Sequence, residues 1–350
     1  MKKLLKVLLA LIIVFIILVG GAAAYVYTQM QPVKVSTLSK KLTLDKGLGT
    51  ASIADRLEQE GVIKNGLLFK VYLKVKSQGS HFQAGVYEMN PGITYDQIID
   101  KLNHGDIVKA AMMKFTIPEG YTIKQITEKL SQEHDVDSAK FLALAKNPEG
   151  INSPLLKEIP ADNKRLYRLE GLLFPETYDM KKGSTEAEII TRMLNETQSQ
   201  LDSIPDFKAK LETSHKSLNE LLTAASLIER EVVADPERSR VASVIDNRLK
   251  DGMKLEIDAT VQYLLGKPKE RLVNSDLRKI DNPYNTYIYK GLPPGPIASP
   301  SLKSIEAVLN PEITAYKFYV TKKDGSQEHL FAKTYAEHLV NIKKSQETAK

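Results

Sequence analysis

The chain has 350 residues and no cysteine, which excludes a disulfide framework, a thiol nucleophile and a thiolate metal site. Its six histidines form no HExxH motif or cluster, so the sequence predicts neither a metal nor another cofactor. Half of the formal charge of +6 comes from Lys2, Lys3 and Lys6, and no basic run is interleaved with aromatic residues, which argues against nucleic-acid binding.

An uncharged apolar segment, residues 7–27, follows these lysines. It is about as long as the roughly 20 residues that a helix needs to cross a bilayer. The positive-inside rule then predicts a cytoplasmic end at residues 1–6 and a body outside the cell membrane, joined by a linker at 28–38. Residues 20–24 also offer an Ala-x-Ala site, so a cleaved signal peptide is the alternative to a single-pass anchor.

Two later segments repeat one another. Residues 92–102 and 120–130 share Gly, Thr, Gln, Ile, Lys and Leu at matching positions. In each copy a Thr is followed three residues on by Gln, the pattern of a capping box at a helix start. With strand-like segments at 82–89 and 111–117, each copy predicts an extended segment, a turn and a short amphipathic helix.

The rest of the chain predicts further helices and one hairpin. Ser217 and Glu220 form a capping box that opens a helix at 218–233. Asp324-Gly325 is a hairpin turn signal between the apolar segments 317–321 and 329–332. Other helices are predicted at 122–166, 185–201 and 334–345.

Glu229 is the candidate catalytic residue, because its neighbours one and two helical turns away are apolar. A carboxyl group withdrawn from water can hold a proton near neutral pH, as a general acid must. Glu231 also has apolar neighbours, but charged residues make that end wetter, so periodicity favours Glu229 only slightly. For either glutamate, an ion pair with Arg238 or Arg248 is the alternative.

Several motifs accompany Glu229 in a fixed order, at residues 169–178, 224–233, 241–249, 255–261, 282–287 and 291–297. Together they resemble the endolytic murein transglycosylases, the MltG or YceG-like family, over about residues 1–345. Three positions depart from the family motifs: Leu172 replaces Tyr, Glu176 replaces Asp, and Ala259 replaces Pro.

The resemblance implies an α+β fold with three parts. These are the N-terminal transmembrane helix, a small LysM-like α+β module at 39–110, and an α+β catalytic domain at 111–350. LysM modules bind glycan chains, although a module that only spaces and orients the enzyme is the alternative. The implied partners are peptidoglycan strands, the cell membrane, peptidoglycan synthases and the elongation or division machinery.

The resemblance also implies the reaction. Glu229 would protonate the glycosidic oxygen between N-acetylmuramic acid and N-acetylglucosamine, and the muramoyl 6-hydroxyl would attack C1 to form a 1,6-anhydro end. That reaction needs no metal or cofactor. The residues expected to line or support the glycan cleft are Asp258, Thr260, Tyr284, Asn285, Thr286, Tyr287, Glu170 and Glu176. Alternatives are a muramidase that activates water with Asp258 or Glu170, and a non-catalytic wall-binding scaffold.

Overall fold

The computed structural model describes residues 2–33, 39–108, 111–159, 161–266, 269 and 272–349. The chain forms two compact units, Met1–Ala110 and Ala111–Lys350, and both mix helices with antiparallel strands. Each unit has its own hydrophobic core, drawn from residues 42–102 in the first and 113–309 in the second. The expected α+β mixture is therefore present.

The first unit begins with the long helix α1 (Lys2–Met30). Within it, Leu5–Met30 is long and apolar enough to cross a membrane, with a mean hydropathy of 3.1 and none of its apolar window buried. The elements that follow α1 are β1 (Lys40–Leu44), α2 (Thr50–Gln59), α3 (Gly66–Val75), β2 (Gly85–Met89) and α4 (Tyr95–His104). Strands β1 and β2 pair antiparallel, with Lys40 opposite Met89, and their inward-facing side chains pack on the helices.

The second unit is mostly helical, with two separate strand pairs. Its elements are β3 (Met112–Thr116), α5 (Ile123–His134), α6 (Ser138–Lys146), α7 (Leu155–Glu158), β4 (Thr177–Lys181), α8 (Glu186–Ser203), α9 (Phe207–Thr213), α10 (Leu218–Glu231), α11 (Arg238–Lys250), α12 (Asp258–Leu265), α13 (Asn274–Lys279), α14 (Leu302–Leu309), β5 (Phe318–Thr321), β6 (His329–Ala332) and α15 (Tyr335–Glu347). Strand β3 pairs with β4 and β5 pairs with β6, so the hairpin predicted around Asp324-Gly325 is confirmed.

The capping boxes predicted from the repeat are also confirmed. Thr94 with Gln97 opens α4, and Thr122 with Gln125 opens α5. These two helices belong to different units, so the repeated segment recurs in the two parts of the chain.

Helix α10 lies in the core of the second unit and packs against α11, α12 and α14. It starts after the predicted cap Ser217 but ends at Glu231, two residues before the predicted end. Val232 is already extended, because β-branched valines are poor helix formers and Pro236 follows soon after. This early end leaves Glu229 and Glu231 in the last turn of the helix.

Candidate active site

Glu229 and Glu231 face different parts of the molecule. They are two residues apart, so their side chains leave α10 about 200° apart around the helix. Residues 221–228, immediately before them, are all buried. The core therefore fixes the rotation of the helix, and each carboxyl group has a defined set of neighbours.

Glu229 points to the start of α14. Its Oε2 accepts hydrogen bonds from the Ser301 N–H at 2.9 Å, Ser301 Oγ at 2.5 Å and Ser304 Oγ at 2.8 Å. Arg238 Nη1 donates to the same oxygen at 3.2 Å. The side chains of Glu229 and Arg238 are only 6% and 8% exposed, so the pair is buried. The ion pair with Arg238 that the sequence left open as an alternative is present.

Glu119 lies on this side of α10. Its loop is held in place because the Gly120 N–H donates to Ser299 O at 2.9 Å and the Ser299 N–H donates to Tyr121 O at 2.8 Å. Burial raises the pKa of Glu119, and the nearby negative charge of Glu229 raises it further, while Arg238 lowers it. The surroundings of Glu229 are thus a network of charges in which Arg238 supplies the central positive group.

Glu231 faces α12 and β5. The Tyr319 hydroxyl donates to Glu231 Oε2 at 3.0 Å. Burial raises the pKa of Glu231 to about 7, and the nearby Asp258 carboxylate adds to this rise, whereas the Tyr319 hydroxyl lowers the pKa. Glu231 as a whole residue is half-buried, and a carboxyl group with a pKa of about 7 is partly protonated near neutral pH. These are the properties that general acid catalysis requires.

Asp258 and Tyr287 complete this side of the site. Asp258 is the first residue of α12 and is exposed. The half-buried Tyr287 donates its hydroxyl to Asp258 Oδ1 at 2.5 Å, and burial together with this bond raises the pKa of Tyr287. We call the four residues Glu231, Asp258, Tyr287 and Tyr319 the Glu231 cluster.

A small cleft lies beside the end of α10. Ala259 and Arg230, the sequence neighbours of Asp258 and Glu231, form part of its wall. The other lining residues supply aromatic, amide, cationic and apolar groups: Thr122, Lys124, Gln125, Leu166, Tyr167, Gln262, Tyr263, Gly266 and Ile297. Aromatic faces can pack on sugar rings, and amide groups can hydrogen-bond acetamido groups and hydroxyls, so this lining suits a glycan.

Four of the predicted glycan-binding residues lie in the interior: Thr260, Tyr284, Asn285 and Thr286 are at most 1% exposed. Thr286 Oγ1 accepts from the Ile257 N–H at 2.9 Å, and Thr260 Oγ1 donates to Ile257 O at 2.7 Å. These bonds hold the start of α12 against the loop that carries Tyr287. Such buried residues shape the site from beneath, and their burial does not support direct contact with a glycan.

Asn285 also stabilises the loop that carries Tyr287. Its Nδ2 donates to Leu277 O and Ile280 O, both at 3.0 Å, and its Oδ1 accepts from the Tyr287 N–H at 3.0 Å. The side chain therefore fixes the loop and the backbone of Tyr287, which is the member of this motif that belongs to the Glu231 cluster.

Glu170 is fully buried. It accepts hydrogen bonds from the Ile123 N–H at 2.9 Å and the Tyr263 hydroxyl at 3.0 Å, and burial raises its pKa to about 7. Gly171, with φ +74°, follows it, and a Cβ there would lie 2.4 Å from Pro296 Cβ. Glu170 and Gly171 thus join the loop at 169–174 to α5, α12 and the segment 291–297. These contacts support the structure around the site.

Glu176 and Ala259 are the remaining sequence-predicted features. Glu176 is exposed before β4 and accepts a bond from the Thr177 N–H, so its contacts do not join it to either glutamate of α10. Ala259 lies in the first turn of α12, where proline is also tolerated, so the helix forms with either residue.

Sequence reasoning missed Tyr319, Ser301 and Ser304, which contact the two glutamates from 72 to 88 residues away. Ser301 carries one local signal, since it is the N-cap of α14. Among the described residues there is no group of three or more His, Cys, Asp or Glu that could hold a metal ion.

The YceG-like family model matches residues 42–344. The endolytic murein transglycosylase of Bacillus subtilis is 38% identical over 331 residues, which cover 92% of this chain and 89% of the relative. That of Streptococcus pneumoniae D39 is 31% identical over 83% of this chain, and the match spans 56% of that longer relative.

A solved structure agrees with these relatives. A YceG-like protein of Listeria monocytogenes, determined by crystallography, superimposes with a TM-score of 0.59 at 33% identity, covering 87% of this chain and 99% of that protein. The chain belongs to the YceG-like family.

Proposed function

We propose that this protein is an endolytic murein transglycosylase that cuts nascent peptidoglycan strands between N-acetylmuramic acid and N-acetylglucosamine. The relatives of that name and the family membership support the activity. The proposed chemistry rests on the Glu231 carboxyl group, whose burial raises its pKa to about 7, and on the neighbouring cleft, whose wall includes Arg230 and Ala259.

In the proposed mechanism Glu231 gives its proton to the glycosidic oxygen as the bond to C1 breaks. The resulting carboxylate takes the proton of the muramoyl 6-hydroxyl, which attacks C1 and closes the 1,6-anhydro ring. Because the attacking hydroxyl belongs to the same sugar, the entropic cost of bringing the reactants together is small. One carboxyl group serves as acid and then as base, and Tyr319 holds it in position.

This proposal transfers the catalytic role that the sequence predicts for Glu229 to its neighbour. Glu229 is held by Arg238 and by three donors from Ser301 and Ser304, all on one oxygen. A buried carboxylate in this arrangement serves to neutralise Arg238 and to fasten α14 to α10. The sequence and the family resemblance predict Glu229 as the catalytic acid. Substituting each glutamate in turn shows which of the two donates the proton.

Mass spectrometry of glycan strands digested with the full-length protein tests the activity. Internal fragments that end in 1,6-anhydro-muramic acid are expected. Exclusively terminal disaccharide products would contradict an endolytic cut. Absence of any product from folded protein would favour the wall-binding scaffold.

A hydrolytic muramidase is the second candidate, and the position of Asp258 favours it. Asp258 is exposed and close enough to Glu231 to raise its pKa, so it could activate a water molecule as a second carboxylate. Glu170, the other residue considered for this role, is buried and already bonded to Ile123 and Tyr263. Reducing ends carrying one added water would identify the hydrolase.

The remaining proposals concern the location and partners of the enzyme. Helix α1 would be a single-pass anchor with a cytoplasmic start, and the second unit would work outside the membrane. The length and apolar composition of Leu5–Met30 suit such an anchor. Residues 39–110 would form a LysM-like glycan-binding module, and the synthases and the elongation or division machinery would be partners near nascent strands.

A further inference from the structure

The outer face of α3 is apolar although it belongs to no core. Leu67, Val71 and Val75 are 68%, 52% and 78% exposed. They are four residues apart, so they form one stripe along the helix, which we call the α3 stripe. On the opposite face Phe69 and Leu73 are buried in the core of the first unit. A helix that is apolar on both faces needs an apolar neighbour on its outer side.

The end of the apolar helix α1 lies beside α3 within the same unit. Lys64, just before α3, donates from Nζ to Thr28 O at 3.1 Å, and Met30 packs against the core of this unit. Beyond the helix the Gly92 N–H donates to Val33 O at 3.2 Å. Helices α1 and α3 also contact each other directly. The α3 stripe therefore lies close to the point where the segment long enough to cross a bilayer ends.

Lysines surround the α3 stripe. Lys64 precedes the helix and bonds Thr28 O, Lys76 follows it with its Nζ 3.8 Å from Asp96 Oδ1, and Lys74 lies on the stripe's side. All three are exposed. A lysine can lay its methylene groups on apolar surface and extend its ammonium group to the level of lipid headgroups. Anionic headgroups attract basic residues at a membrane surface. The combination of apolar stripe and basic border matches a lipid surface better than an apolar protein surface.

We propose that the α3 stripe rests on the membrane, with its three apolar side chains at the boundary between headgroups and acyl chains and Lys74 among anionic headgroups. Interfacial helices bind bilayers in this way. The proposal depends on the proposed anchoring of α1, which already brings α3 to the bilayer. The first unit then has two contacts with the membrane, and these fix its orientation as well as its distance from the bilayer.

A single tryptophan tests this contact, because the chain has none of its own. The full-length Val71→Trp variant is placed in phosphatidylcholine–phosphatidylglycerol vesicles, with and without brominated acyl chains. A blue-shifted emission that loses intensity in brominated vesicles is expected. A water-like emission that bromine does not change would overturn the proposal, and a blue shift without quenching would mean that protein covers the stripe.

The matched control adds Leu67→Asp and Val75→Asp to the same reporter. Both positions are exposed, so circular dichroism should show an unchanged fold, while the emission should return to that of tryptophan in water. Vesicle flotation measures the anchor separately. Protein that leaves the vesicles would overturn the anchor together with this proposal, whereas floating protein with a water-exposed reporter would overturn the stripe contact alone.

Discussion

Glu229 and Glu231 differ in the groups that surround them rather than in their position on an apolar helix. Glu229 has a guanidinium group and three other donors on one oxygen. Glu231 accepts from the Tyr319 hydroxyl and the Ala259 N–H and has a neighbouring carboxylate, and its pKa rises to about 7 because it is buried. A general acid needs a raised pKa, which burial gives to Glu231.

Glu231→Gln should lower the rate of glycan cleavage by about 10²–10⁴-fold, since it removes the proposed general acid and base. The melting temperature should change little, because the Tyr319 hydroxyl can still donate to the amide oxygen. Initial rates and thermal unfolding measured on the same preparation check both statements. Cleavage at the wild-type rate would remove Glu231 from the mechanism.

Glu229→Gln should instead destabilise the protein by about 3 kcal/mol, because it leaves the buried Arg238 without its carboxylate partner. Asp235, which also bonds Arg238 at 3.1 Å, limits the loss. Cleavage measured well below the melting temperature should persist. Abolished cleavage in a variant of unchanged stability would return the role of proton donor to Glu229.

The pH dependence of cleavage follows from the protonated form of Glu231. With a pKa of about 7, kcat/KM should fall as the pH rises through that value. Tyr319→Phe removes a hydroxyl that lowers this pKa, so the fall should move to higher pH. Rate profiles of the two proteins between about pH 5 and pH 9, on both sides of the raised pKa of about 7, make the comparison. A shift to lower pH would contradict the assignment.

Among the helices, α14 starts after Ser301, a residue that both caps the helix and contacts Glu229. Ser301 caps the helix by accepting from the Ser304 N–H, and it also donates to Glu229. Thr334 caps α15 in the same way, but its partners lie on the exposed side of the protein.

These two caps form a matched pair of substitutions. Thr334→Ala should cost about 1 kcal/mol, the usual value for a lost N-cap. Ser301→Ala should cost about 2–3 kcal/mol, because a buried carboxylate also loses a hydrogen bond. Denaturant unfolding gives both values. Equal losses would show that the bond from Ser301 to Glu229 contributes little to stability.

Many elements were predictable, because their signals are local, although the helix predicted at 122–166 is divided into α5, α6 and α7. Thr94 with Gln97, Thr122 with Gln125, and Ser217 with Glu220 each opened a helix where the sequence placed one. The surroundings of Glu231 were not predictable, since Tyr319 comes from a strand 88 residues away and contacts it only through tertiary packing. Periodicity located both glutamates on a buried helix, but it carries no information on which donors meet each one.

In the whole molecule, each of the two units is stabilised by a hydrophobic core of its own. Apolar residues between 42 and 102 pack in the first unit, and those between 113 and 309 pack in the second. Every residue of the Glu231 cluster, and each residue that lines the adjoining cleft, belongs to the second unit. The parts of the site are therefore independent of the core that adjoins α1.

Residues 111–350 expressed alone should fold and cleave soluble glycan strands. Circular dichroism should show a helical protein with one cooperative thermal transition, and mass spectrometry should find the same products as for the full chain. The activity of this fragment on membrane-bound nascent strands should be lower, because it lacks the anchor. An unfolded fragment would mean that the first unit supplies part of its stability.

Because the two glutamates lie in one helical turn, insertions and deletions within α10 would disrupt the site. One inserted or deleted residue within α10 would rotate everything after it by about 100°, which would turn Glu229 from Arg238 and Glu231 from Tyr319 at the same time. Substitutions can accumulate along this helix, but its length cannot vary. Insertions and deletions among homologous genes should therefore fall in the connecting segments and leave the interval from Ser217 to Glu231 constant.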